Sequence, residues 1–129
     1  MLREVSSYIT FLYFQDLALA QEFFENTLGL KAVYDPGWAV VYRLGAASFL
    51  GAVDAARGSV PAQPGRGVLI SFTVQNVAAM HKRFTKLGLK VSEIKEFRDI
   101  ALKSFFLEGP EGYAFEMQEF TVPELKKIF

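Results

Sequence analysis

The sequence predicts an α+β fold made of two strand-helix-strand-strand-strand modules in tandem. Three observations lead there. Dense runs of β-branched and aromatic residues give way to apolar stripes at helical spacing and then return, and the chain does this twice. The tetrapeptide Leu28-Gly29-Leu30-Lys31 recurs as Leu87-Gly88-Leu89-Lys90. With 129 residues, 51% of them hydrophobic, the chain is long enough for one domain or two small modules sharing a core, and too apolar for disorder.

Tyr8 to Phe14 (YITFLYF) reads as the first strand. Asp16 follows as a candidate N-cap, because its carboxylate can accept from the free amides of a first helical turn. Leu17, Ala20, Phe24 and Leu28 then fall at helical spacing, and Gly29 is a C-cap candidate. Lys31 to Asp35 is a short strand and Pro36-Gly37 a turn. Trp38 to Leu44 and Ala47 to Val53 are two more strands. Asp54 to Arg66, with three Ala, two Pro and two Gly, is expected to lack regular structure. The plan then repeats: strand Val68 to Val74, N-cap Asn76, stripe Val77, Met80, Phe84 and Leu87, then Gly88. Lys90 to Phe97, Ala101 to Leu107 and Tyr113 to Phe120 complete the strands, with a tight turn at Glu108 to Gly112. Gly65-Arg66-Gly67 is read as a turn, since a phosphate-cradling loop would precede a helix. Thr121-Val122-Pro123-Glu124 has the form of a capping box opening a short final helix. The expected organisation is one domain over 1–129, with modules 7–53 and 67–120, a linker 54–66 and a tail 121–129. Asp16 and Asn76 stand 60 apart but Leu28 and Leu87 stand 59 apart, so the second helix has one residue fewer.

Composition excludes several chemistries. Fourteen basic residues against fourteen acidic ones leave no surplus for nucleic acid. Without cysteine there is no disulfide, thiolate zinc site or cysteine nucleophile. The lone His81 lies in the second helix, on the side of the sheet away from any cleft, so Ser48, Ser71 and Ser104 have no triad partner. The longest uncharged, largely apolar run, Leu44 to Val53, is far short of the roughly 20 residues that span a bilayer. No apolar stretch follows a basic start, so the expectation is a cytoplasmic protein that binds neither membrane nor nucleic acid.

Each module covers one face of its sheet with its own helix, and pairing two modules across the other face would make a cleft. This plan resembles the vicinal oxygen chelate superfamily of glyoxalases, bleomycin-resistance proteins and extradiol dioxygenases. The marks are Asp16-Leu17, Phe23-Phe24 and Leu28-Gly29-Leu30, then Leu87-Gly88-Leu89, Gly109-Pro110-Glu111-Gly112-Tyr113 and Phe115-Glu116, over about Tyr8 to Phe120. Gly109 replaces the Asp usual in that last turn. The resemblance implies tandem βαβββ modules forming an open, barrel-like sheet with helices outside, and a homodimer with modules paired within or across chains. It also implies one divalent ion held by four strands. The matching positions are Ile9, the stretch Phe49 to Gly51, Leu69 and Glu116, of which only Glu116 can chelate. One carboxylate is not a metal site, so no metal and no cofactor is expected at that place.

Alternation puts Phe115 and Met117 toward the helix and Glu116 with Gln118 on the other face. From residues alone that face could simply be solvated. The resemblance makes it the cleft wall, with Glu116 as a ligand acceptor or a general base in the apolar surround of Ile9, Phe11 and Leu69. Trp38, Tyr42, Tyr13 and Phe105 are the further aromatic candidates for a ligand pocket, each also compatible with ordinary core. Arg43 and Lys103 are read as surface residues. The expected function is metal-independent binding of a small hydrophobic or aromatic molecule, resembling the bleomycin-resistance branch. The alternatives are a glyoxalase-type lyase, isomerase or dioxygenase using a displaced metal or Glu116 as base, and a protein whose cleft is filled by its own side chains.

Overall fold

The computed structural model describes residues 5–63 and 68–129. The chain divides into two units, Met1–Pro64 and Gly65–Phe129. The first unit holds β1 (Tyr8–Phe14), α1 (Leu17–Glu22) continued by a π-helical turn (Phe23–Thr27), β2 (Lys31–Tyr34), β3 (Ala39–Arg43) and β4 (Ser48–Asp54). The second holds β5 (Leu69–Thr73), α2 (Val77–Lys86), β6 (Lys95–Phe97), β7 (Leu102–Glu108), β8 (Ala114–Phe120) and α3 (Pro123–Lys126). Each unit has one open four-stranded sheet, ordered β1-β4-β3-β2 in the first and β5-β8-β7-β6 in the second. In both, the first strand runs parallel to the last and the other pairs are antiparallel. The fold is α+β with a βαβββ plan used twice. No helix among the described residues is long and apolar enough to cross a membrane.

The helix starts form as their side chains dictate. Asp16 Oδ1 accepts from the Leu19 amide at 3.1 Å and Asn76 Oδ1 from the Ala79 amide at 3.0 Å. Both helices end where a residue of positive φ is needed, Gly29 at +71° and Gly88 at +80°. The extra residue of the first helix becomes the π-turn, where the Leu28 amide reaches back five residues to the Phe23 carbonyl at 2.9 Å. An α-helix absorbs an inserted residue in this way without rotating what precedes it. Phe24 and Phe84 therefore hold equivalent core positions despite the unequal lengths. Phe24 packs edge-on to Phe14 at 6.0 Å and tilted against Tyr42 at 5.5 Å, and Phe84 packs edge-on to Phe105 at 6.0 Å.

Two expected elements differ. The strand expected at Lys90 to Phe97 is reduced to Lys95–Phe97 and a lone bridge from Val91 to Leu107. Ser92 interrupts it: its Oγ accepts from the Phe106 amide at 2.8 Å, and its carbonyl is taken by His81 Nε2 at 2.9 Å. The capping box at Thr121 does not form. The final helix starts at Pro123, whose fixed φ suits the first turn, with Val122 before it and no side-chain cap. The Thr121 amide instead donates to the Ala101 carbonyl at 2.8 Å. The tail rests on its own unit, with Phe129 stacked on Phe120 at 4.8 Å. Of the segment 54–66, the part up to residue 63 is described and contains no strand or helix after Asp54. The turn read at Gly65-Arg66-Gly67 lies outside the described residues.

Candidate functional site

Strand register assigns every side chain to a face. In the first sheet, Leu12, Phe14, Val40, Tyr42, Leu50 and Ala52 lie on the helix side, together with the Phe24 ring. Ile9, Phe11 and Tyr13 of β1 lie on the far side with Phe49, Gly51 and Val53 of β4, and with Ala39 and Val41 of β3. In the second sheet, Phe105, Phe115 and Met117 face the helix. Leu69, Ser71, Thr73, Ser104, Phe106, Ala114, Glu116 and Gln118 share the far face.

The two far faces have the same lattice and different chemistry. Glu116 pairs across with Ser71 and Phe106, and Gln118 pairs with Thr73 and Ser104. The equivalent rows of the first sheet are Gly51 with Phe11 and Val41, and Val53 with Tyr13 and Ala39. The second sheet thus carries polar groups where the first carries glycine, rings and aliphatics. Glu116 is only 7% exposed. Its Oε1 accepts from Ser71 Oγ at 2.5 Å, while Oε2 takes no hydrogen bond among the described residues. Gln118 Nε2 donates to Thr73 Oγ1 at 3.0 Å. Ser104 is fully buried and its Oγ has no partner among the described residues. At Gly51 a Cβ would overlap the Phe11 ring, so the ring lies directly on the backbone there. At Gly58 a Cβ would likewise overlap the Tyr13 ring, with Val53 beside it.

Of the candidates from sequence, the far faces carry Glu116, Gln118 and Leu69 in one unit and Ile9, Phe11 and Tyr13 in the other. Phe11 is 45% exposed. Trp38 stands partly exposed just before β3, its carbonyl accepting from the Asp54 amide at 2.9 Å. Tyr42 and Phe105 are corrected to the helix side, and both are fully buried. The Tyr42 hydroxyl donates to Glu25 Oε2 at 2.9 Å. Phe105 packs edge-on to His81 at 5.0 Å, which also confirms His81 as a helix-side residue. The Arg43 guanidinium sits over the Phe49 ring at 5.0 Å and donates to the Ala46 carbonyl at 3.2 Å. Ser71, Thr73 and Ser104 were the polar residues missed. Alternation from Leu69 through Ser71 to Thr73 was the available signal.

The residues do not fit the divalent ion that the fold family implies. The four matching positions supply Ile9, the stretch Phe49 to Gly51, Leu69 and Glu116, a single oxygen-bearing side chain. Among the described residues no three His, Cys, Asp or Glu side chains converge to hold a metal. What the site offers instead is a buried carboxylate with one open acceptor oxygen beside a hydroxyl, an amide and apolar surface.

The family model described as Glyoxalase/Bleomycin resistance protein/Dioxygenase superfamily matches residues 7–117. No curated protein matches the chain. Among solved structures, a lactoylglutathione lyase from Agrobacterium tumefaciens is 23% identical with a TM-score of 0.72, covering 87% of this chain and 91% of its own. A glyoxalase/bleomycin resistance protein/dioxygenase from Nocardioides is 18% identical at a TM-score of 0.76, covering 95% and 87%. An integron cassette protein from V. cholerae is 18% identical at 0.71, covering 93% and 98%. At these identities the likeness is one of fold.

Proposed function

The chain belongs to the glyoxalase/bleomycin resistance protein/dioxygenase superfamily, and from that premise we propose that it binds a small hydrophobic or aromatic molecule without a metal, as bleomycin-resistance-type proteins do. The observation that carries this reading is the buried Glu116 on the far face of the second sheet. Where one sheet keeps Glu116, the other has Gly51 beneath the Phe11 ring. The far face of the second sheet has the parts a binding site needs, apolar surface in Leu69 and Phe106 for the body of a ligand and a placed acceptor for its orientation. In the second unit Glu116 and Gln118 are the polar anchors beside Leu69; in the first unit Ile9, Phe11 and Trp38 are the apolar candidates. A protein that only holds its ligand needs no nucleophile, which suits this inventory.

The test uses protein purified without a metal-affinity tag. Its metal content is measured as isolated and after incubation with Ni, Zn, Fe and Mn, and native mass spectrometry looks for a carried organic molecule. Carry-over of one organic molecule per chain supports the reading. One tightly held ion per chain, lost in Glu116→Ala, overturns it. Among the described residues Oε2 of Glu116 takes no hydrogen bond, which favours one second reading, a lyase or isomerase of glyoxalase type with Glu116 as general base, because a base needs an unengaged lone pair. Turnover of a carbonyl substrate that disappears in Glu116→Gln, with binding retained, would select it.

A further inference from the structure

We infer that the ligand carries a cationic nitrogen, an ammonium or amidinium, that lies against Glu116. This names the ligand class for the site proposed above and rests on that reading. The first ground is electrostatic. Burying a carboxylate is costly unless a positive group or several donors face it. Glu116 is 7% exposed, accepts from Ser71, and makes no ion pair among the described residues. Its neighbours by register are Ser71 and Phe106 across the sheet, with Ala114 and Gln118 along the strand. Lys95 shares this face but pairs with Ser104 on the edge strand, and Lys103 points to the helix side.

The second ground is an unengaged acceptor: among the described residues Oε1 of Glu116 accepts from Ser71 and Oε2 accepts from no donor. Glu108 lies on the same face, opposite Ala114. An ammonium offers three N–H donors and the missing charge at once. The third ground is space. A groove of about 440 Å³ borders this face, lined by Val91, Ser92, Phe106, Glu108, Ala114 and also Lys90. Glu116 does not itself line the groove, but Phe106 and Ala114 do and are its neighbours by register, so the proposed ligand would lay its apolar body in the groove and reach past them to the carboxylate. The fold itself does not require a carboxylate there, since the first unit builds the same lattice with Gly51.

The test is calorimetric titration of the full chain with benzylamine, phenethylamine and tryptamine, each against its matching alcohol. The expected result is at least tenfold tighter binding of the amines by the native chain. That preference should vanish in Glu116→Gln and persist in Glu116→Asp, which keeps the charge if the Gln variant folds poorly. The ligand-free Glu116→Gln protein should also melt higher than the native one, having lost an uncompensated charge. Alcohols bound as tightly as amines would overturn the cation while leaving small-molecule binding intact. An amine preference that survives Glu116→Gln would overturn it too. Failure of both series to bind would overturn the cation and the binding reading together.

Discussion

Tyr42→Phe tests whether this ring belongs to the core or to the ligand. Tyr42 is fully buried on the helix side, and its hydroxyl donates to Glu25 at 2.9 Å. Glu25 is exposed and regains water when the hydroxyl is removed, so the loss at neutral pH is about 1 kcal/mol. At high pH the sign reverses. Burial above all, then the hydrogen bond to Glu25 and the negative charges of Glu25 and Asp35, push the Tyr42 hydroxyl well above its ordinary value. A raised folded-state pKa gives stability that is complete below about pH 10 and is lost as pH rises, because the unfolded chain releases the proton first. The slope is about 1.4 kcal/mol per pH unit while the folded hydroxyl stays protonated. By pH 11.5 the native chain therefore gives up about 2 kcal/mol that the variant does not. Urea unfolding followed by circular dichroism at pH 8, 10 and 11.5 should show the variant weaker at first and stronger at last. Parallel curves for the two proteins across that range would refute the buried, proton-retaining Tyr42. Ligand affinity should be the same in both.

Other outcomes follow from the same contacts. Asp16→Ala and Asn76→Ala should each cost about 1 kcal/mol, and their effects should add, because each removes one cap in a different unit; chemical denaturation of the single and double variants checks this. Phe105→Ala should cost about 3–5 kcal/mol, whereas the half-exposed Phe11→Ala should cost about 1 kcal/mol and weaken the binding of an aromatic ligand in the same titration. Thr121→Ala should change stability by less than about 0.5 kcal/mol, because the Thr121 side chain does not cap the final helix; a drop of a kilocalorie or more in thermal melts would contradict that placement.

The parts of this fold that were legible in the sequence are those where a local signal stands alone. β1 has the expected bounds, Asp16 and Asn76 cap as their side chains predict, and the unequal spacing of the two Leu-Gly-Leu-Lys repeats marks the residue that becomes the π-turn. The facing of Tyr42 and Phe105 was not legible. Ala39, Val40, Val41 and Tyr42 are all buried, so β3 has no apolar-polar alternation to set its phase. Phe105 and Phe106 are adjacent identical residues, and only the register with Glu116 decides that Phe106 shares its face. The break at Ser92 depends on a hydroxyl replacing a backbone carbonyl in the ladder, which strand propensity does not report. Glu116 itself is legible only through the family positions. The Ser71 bond, the Thr73–Gln118 bond and the buried Ser104 needed cross-strand pairing to come into view.

The Phe11 ring resting on Gly51 also bears on the history open to this chain. Introducing a carboxylate at position 51 alone would drive a side chain into that ring, and shrinking Phe11 alone would expose bare backbone. Neither single step is an improvement, so the two positions are coupled in the manner of contacting residues whose effects do not add. In the second unit the carboxylate can be exchanged by one substitution, because Ser71 opposite it is small. Placing a carboxylate at this lattice point is thus a one-position change in the second unit and a two-position change in the first.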